Sequence, residues 1–214
     1  MAQPIQVVYN LAASLTTAIV NAQAAGATTM TLATTIVDPN NQRRLLFTTT
    51  ADDSPTRFVI VGTNQAGFPI TETIAGVNNS TTQTNMDFKT VASIKTLTGS
   101  TVGTVSFGTN GVGSTLWYIM NQNATPVNIE CSGIVSSVST AVTWGVQYTY
   151  DDPNNLPSGV GTAAPFNHPT LNNLAGTTSL DGPINDPVFA IRFIVTAGTG
   201  TVRGTIIQAG AASP

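Results

Sequence analysis

Apolar and polar residues alternate along this chain in short runs, and the clearest run is Arg57–Gly76. Arg57, Val59 and Val61 alternate with Phe58, Ile60 and Gly62, the period of two that sends successive side chains to opposite faces of a strand. Thr63–Gly67 supplies a turn in which Gly67 can take a positive φ. Ile70–Ile74 returns as a second strand. Pro69 stands at its turn-side start, where a missing N–H does little harm. The same alternation predicts strands at Ile5–Tyr9, Met30–Ile36, Arg43–Thr49, Val102–Phe107, Val127–Cys131 and Val142–Tyr150. Phe88–Leu97 is a further strand, with Phe88, Val91 and Ile94 inward across a bulge. Phe189–Ala197 and Val202–Gln208 form a closing hairpin over Gly198-Thr199-Gly200, followed by a tail at Gly210–Pro214.

Between the strands stand turn signals. Asp38–Asn41 and Asp52–Pro55 carry Asp and Asn side chains that can bond their own backbone. Asn78–Asn85 is a polar loop, and Asp151–Gly182 is a long one without a period, expected to be functional or clamped on a neighbour. Leu11, Leu15, Ile19 and Ala22 recur at helical spacing. The Thr16-Thr17 and Ile19-Val20 pairs are poor helix formers and favour β structure there. Many short strands separated by turns predict an all-β fold of β-sandwich or jelly-roll-like units, two of them. Gly108–Gly113 is a permissive joint, beyond which both tryptophans lie, so the domains are expected at 1–112 and 113–214. Asp38-Pro39-Asn40-Asn41 is echoed by Asp152-Pro153-Asn154-Asn155, and Arg57–Ile60 by Arg192–Val195, a weak internal duplication.

Composition adds one strong statement. Only 8% of the residues are charged, about a third of the share usual in globular proteins. A surface of Thr, Asn, Ser and Gln has little charge repulsion to keep it dispersed, so much of it is expected to be covered in an assembly. The net charge of −3 and the lack of a basic stripe argue against nucleic acid. Arg43 and Arg44 are adjacent, but within a strand they point to opposite faces. The apolar run Leu11–Ala27 has no basic residues before it, so it is read as mature protein rather than a signal peptide. No stretch is long and apolar enough to cross a bilayer as a helix.

The inventory for catalysis is thin, and an enzyme is not expected. Cys131 is the single cysteine, which excludes an intrachain disulfide and suits a small buried apolar residue. His168 is the single histidine, between Pro165 and Pro169, and nothing in the sequence ties it to Cys131. One His and one Cys cannot build a usual zinc site. Phosphate-loop and nucleophile-elbow motifs are missing. Asp151-Asp152 with Asn154-Asn155 could offer oxygens to calcium, although turn chemistry explains them as well. No metal and no cofactor are expected. Glu72, inside the second strand of the hairpin, either faces solvent or pairs with Arg57. Arg43, Arg44, Arg57 and Glu72 are candidate interface residues, because rare charges on a neutral surface can set register with a partner. Trp144, Val146, Tyr148 and Tyr150 share one strand face with Val142, which is a core row or a stacking platform.

A family resemblance appears across these strands. Phe58–Thr63, Gly67 and Thr71–Ile74, followed by Phe88–Val91 and Ser93-Ile94, resemble a block of tailed-bacteriophage virion structural proteins, "tGtd.dG...tEti.g" followed by "FktVtsI". Val105–Gly111 resembles the family's "vsvGtnG", and Tyr148–Asp152 its "yT.dd". Pro187 with Ala190–Arg192, and Ile206–Gly210, resemble its closing hairpin. The order of the blocks from about Arg43 to Gly210 is more specific than any one of them. The resemblance implies a virion protein without catalytic residues, and the preferred role is a head decoration or cement subunit on the outer capsid surface. Its partners would be the major capsid protein or other virion proteins, with a homotrimer at threefold positions. A tail, connector or head-fibre component is the first alternative. A host-surface or glycan-binding module using Trp117, Trp144, Tyr148 and Tyr150 is the second.

Overall fold

A computed structural model describes residues 4–137, 142–156, 162–176, 179–198 and 200–212. Thr199 in the closing turn and the last two residues of the tail lie outside them, as do parts of the 151–182 loop. The fold is all-β, and the described residues contain no helix. Sixteen strands follow in order: β1 Ile5–Asn10, β2 Val20–Gln23, β3 Gln42–Thr49, β4 Arg57–Thr63, β5 Pro69–Ala75, β6 Thr81–Gln83, β7 Thr90–Thr98, β8 Val105–Ser114, β9 Tyr118–Ile119, β10 Ala124–Ser137, β11 Val142–Thr149, β12 Phe166–Asn167, β13 Leu174–Gly176, β14 Leu180–Ile184, β15 Ala190–Ala197 and β16 Thr201–Ala212. The chain divides into two compact units, one of residues 12–113 and one of residues 1–11 with 114–214. The first eleven residues therefore do not belong with a 1–112 domain. β1 pairs antiparallel with β16 in unbroken register from Ile5↔Ile206 to Asn10↔Thr201.

In the unit of residues 12–113, β4 is flanked by β5 and β7, and β3 lies between β8 and β6. The expected Arg57–Gly76 hairpin forms, with Phe58 opposite Ile74 and Ile60 opposite Glu72. Its turn has Gly67 at φ 86°, where a side chain would be strained. The bulge expected in β7 appears as two register shifts against β4, and Phe88, Val91 and Ile94 are all buried. Phe47 of β3, Phe58 of β4 and Phe107 of β8 meet at the centre of this core, with ring centroids 4.7–5.6 Å apart. Such tilted and edge contacts suit aromatic quadrupoles.

Several local expectations are revised here. Residues 30–36 do not form a strand. They run beside β7 and bond it only intermittently, through Met30 N–H to Ile94 O and Val91 N–H to Thr35 O. Between those contacts Ala33 donates to Ile19 O instead, which breaks the ladder. The polar loop 78–85 contains β6, which pairs with β3. Gly108–Gly113 is strand, part of β8, and the two units divide at its end, between Gly113 and Ser114; a Cβ at Gly108 would collide with the backbone of Leu15 and Thr16. Residues 11–19 are neither helix nor strand.

In the other unit, β1, β16, β10 and β14 form one sheet. β11 carries β15 on one edge and β12 and β13 along the other. β15 and β16 do not form the expected hairpin: β15 pairs with β11, whereas β16 lies between β1 and β10. The connection crosses between layers, with Gly198 at φ 77°. The long 151–182 loop supplies β12, β13 and the start of β14, three strands too short for their alternation to show. The core joins both layers, and two of its rings, Trp144 and Phe193, pack against glycine. Gly133 of β10 and Gly204 of β16 are register partners. A Cβ at Gly204 would come within 2.5 Å of the Phe193 ring, and one at Gly133 would collide with the Trp144 ring. The missing side chains are therefore the space the aromatic rings fill.

Overpacking of this kind destabilises by about 1–3 kcal/mol. Gly133→Ala and Gly204→Ala are each expected to lose stability in that range in denaturant titrations, and Gly133→Ala to change the emission of Trp144. Ser132→Ala, on the neighbouring position of β10, should stay within about 0.5 kcal/mol of wild type.

Candidate functional site

The rare charges were the sequence's candidates for an interface, and two of them are interior. Arg43 is 1% exposed. Strand alternation turns it inward from β3, and the turn five residues earlier supplies its counter-charge. Arg43 Nη1 lies 3.3 Å from Asp38 Oδ2 and donates to Ala12 O at 2.8 Å. Its Nη2 donates to Asn110 O. Asp38 in turn accepts from Asn40 and Asn41 N–H through Oδ1 at 2.9 and 3.0 Å, and from Ala12 N–H through Oδ2 at 3.3 Å. One ion pair thus ties residue 12, the 38–41 turn, β3 and β8. Such a buried pair survives only because further hydrogen bonds satisfy both ions.

Glu72 is 8% exposed, and it neither faces solvent nor pairs with Arg57. Its two carboxylate oxygens accept the N–H groups of Asn85 at 2.7 Å and Met86 at 2.9 Å, which closes the segment between β6 and β7. Asp53, in the Asp52–Pro55 turn, does similar work. It is buried and accepts from Val102 N–H at 2.6 Å and from the Thr49 hydroxyl. Arg44 is half-buried with Nε 3.7 Å from Asp87 Oδ1. Arg57 is exposed at the start of β4. Arg43 and Glu72 are thus corrected as interface residues, because each is enclosed within its own unit; Arg57 and Arg44 retain accessible surface.

The remaining chemical candidates are structural in their contacts. Cys131 is fully buried in β10, and burial, with Glu130 beside it, pushes its thiol up to about 12, far from a thiolate at neutral pH. His168 is buried too. Its Nδ1 accepts from Leu171 N–H at 3.0 Å and Thr170 N–H at 3.2 Å. Nε2 must then carry the proton, and it faces Pro183 O at 3.2 Å. These contacts select the neutral imidazole, and burial lowers its pKa, opposed by the Pro183 contact. The Asp151–Asn155 stretch is a turn: Asp152 Oδ1 accepts from Asn154 N–H at 2.9 Å, and Asp151 Oδ2 accepts from Ala164 N–H at 2.8 Å. Among the described residues no group of three or more His, Cys, Asp or Glu side chains could hold a metal ion. The described residues contain no helix, and so none long and apolar enough to cross a membrane.

The proposed aromatic platform divides. Trp144 is in the core and Trp117 is half-buried beneath Arg192, whose guanidinium lies 4.5 Å from the ring centroid. Tyr148 and Tyr150 instead join Phe166, a residue the sequence did not flag. Phe166 stacks on Tyr148 at 5.8 Å and meets Tyr150 at 5.5 Å. Tyr150 is 50% and Phe166 47% exposed, so this trio is the principal accessible aromatic cluster. The pairing Tyr148↔Phe166 creates it, and no local motif announces such a pairing.

No protein-family model matches the chain, and no curated protein matches it.

Removing one member of a buried ion pair costs about 3–5 kcal/mol. Arg43→Met and Asp38→Asn are each expected to lose that much in denaturant titrations, and the double variant less than the sum, because the two share one network. His168 gives a pH dependence. Its folded pKa lies below the unfolded value of about 6.5, so the unfolded state binds more protons in between. Its contribution is complete above about pH 6.5 and is lost as pH falls through the depressed folded value. The melting temperature should therefore fall from about pH 7 to pH 5.5, and His168→Gln should flatten that slope. An equal slope in the variant would place the titrating group elsewhere.

Proposed function

We propose that this chain is a non-enzymatic structural subunit of a tailed-phage particle, acting as a decoration or cement protein on the outside of the head. The observation that carries the reading is the ordered series of motif blocks resembling phage virion proteins. In the fold these blocks are strands and strand ends: Phe58–Thr63 in β4, Thr71–Ile74 in β5, Val105–Gly111 in β8, Ala190–Arg192 in β15 and Ile206–Gly210 in β16. The charge economy supports it. Asp38, Arg43, Asp53 and Glu72 are all buried, so a surface already poor in charge carries fewer still.

A cement subunit works by binding the assembled shell and not its free components, which shifts the equilibrium toward the shell by mass action. The major capsid protein is the expected partner, and a homotrimer is the assembly that threefold positions of a shell would accept. A host-surface module that binds saccharides is the second reading, favoured by the exposed Tyr150 and Phe166, which pack on the half-buried Tyr148. A tail, connector or fibre-base position differs from the first reading only in where the subunit binds.

Particles depleted of this chain are expected to lose heat and osmotic resistance and to regain both when the purified protein is added back. Depleted heads as robust as complete ones would sink the cement role. Unchanged robustness together with saccharide binding that Tyr150→Ala abolishes would favour the second reading.

A further inference from the structure

The charges of this chain are unevenly placed. Residues 12–113 carry five basic and five acidic side chains, whereas residues 1–11 and 114–214 carry two basic and five acidic. The whole net charge of −3 therefore belongs to the second unit. No Lys or Arg occurs from residue 96 to residue 191. Of the unit's two basic residues, Arg192 is engaged by Trp117, Gln147 and Ser114, and Arg203 stands on β16, in a different sheet from β11.

The exposed aromatic surface of this unit lies in that acidic region. Tyr148 is near the end of β11, Tyr150 is just beyond it, and β12 brings Phe166 against both. Asp151 follows Tyr150 and accepts Ala164 N–H, which ties the tyrosine segment to the one carrying Phe166. Phe189 N–H bonds Thr149 O, so residues 186–189 run beside Tyr150 from the other side. Burial, the Asp186 charge and the Tyr148 hydroxyl together raise the Tyr150 pKa, so the carboxylate is felt at that ring. Aromatic faces carry the negative side of a quadrupole and attract cations. Trp117 holds the Arg192 guanidinium in this way, whereas among the described residues no cation lies over Tyr148, Tyr150 or Phe166.

We infer that this aromatic surface takes a guanidinium or alkylammonium side chain, an Arg or Lys exposed on the shell protein. The shell partner rests on the particle reading; the preference for a cation rests on the rings and the charge alone. Two observations favour a cation over a saccharide. Tyr150 is inclined at 82° to Tyr148 and at 65° to Phe166, so the rings do not make one flat platform. Asp151 Oδ2 and Asp152 Oδ1 already accept backbone N–H groups, which leaves fewer lone pairs for sugar hydroxyls but leaves the negative charge in place. Each subunit carries one such surface. A homotrimer would present three, and three weak contacts held together bind far more tightly than one.

The test is a titration of the purified full-length protein with a short oligo-arginine peptide, followed through the ring resonances of Tyr148, Tyr150 and Phe166. A citrulline peptide of equal length keeps the shape without the charge. Saturable shifts are expected with the arginine peptide and none with the citrulline peptide. Tyr150→Leu, Phe166→Leu and Asp186→Asn should each weaken binding roughly two- to fivefold, the size of an exposed cation–π contact. Should a Leu variant fold poorly, Asp186→Asn, at an exposed position, carries the test. Asp181→Asn removes the same charge from β14, in the other sheet, and should change nothing. No binding, equal binding of the citrulline peptide, or an equal loss in Asp181→Asn would overturn the inference. Shifts of the same rings with a neutral oligosaccharide but not with the arginine peptide would overturn it in favour of the saccharide reading. Add-back to depleted heads tests the partner. Wild type should restore heat resistance and the combined Tyr150→Leu, Phe166→Leu, Asp186→Asn variant should not. Restoration by both would overturn the shell contact; restoration by neither would sink the particle reading and the shell partner with it, and the titration would still decide the cation site.

Discussion

The unit of residues 12–113 depends on the buried contact between Asp38 and Arg43. Neither ion could be left in that interior alone, since several kcal/mol of lost hydration oppose each. Together they satisfy one another and bind the backbone of Ala12, Asn40, Asn41 and Asn110. Three segments distant in sequence, at residues 12, 38–43 and 110, are thereby held in one arrangement. An apolar pair of equal volume could fill the same space, but it could not bond those four backbones. Glu72 and Asp53 repeat the device at 85–86 and 102–103. A chain with few charges therefore uses several of them as internal ties.

The other unit is held by shape rather than charge. Trp144 and Phe193 project from β11 and β15 onto Gly133 and Gly204, where any side chain would collide with them. Its single histidine and cysteine are buried beside the same strands and are turned to packing and backbone bonding. What reaches solvent is mostly hydroxyl, amide and scattered apolar surface.

The legible parts of this fold are those governed by nearest neighbours. The Arg57–Gly76 hairpin was legible because alternation, Pro69 and Gly67 all point to two strands and the turn between them. The Asp38 and Asp52 turns were legible for the same reason, since Asp bonds the backbone two residues on. What failed was what distant segments decide. Residues 30–36 alternate well but lose their ladder to Ile19. Gly108–Gly113 marks where the units divide, but a sequence cannot show that it is strand, with Leu15 and Thr16 in the space a Cβ at Gly108 would need. The partners of Glu72 lie thirteen and fourteen residues away, across a turn. Phe166 gained its meaning only from its pairing with Tyr148.

The central claim is that this chain is a lattice component of a phage head. Its most direct measurement is the number of copies per purified particle, by quantitative mass spectrometry against the major shell protein. A ratio near one, or a simple fraction of the shell copy number, is the predicted result, because a cement subunit follows the symmetry of the shell it covers. A few copies per particle would move the chain to the portal, tail or fibre, and its absence from particles would contradict the account.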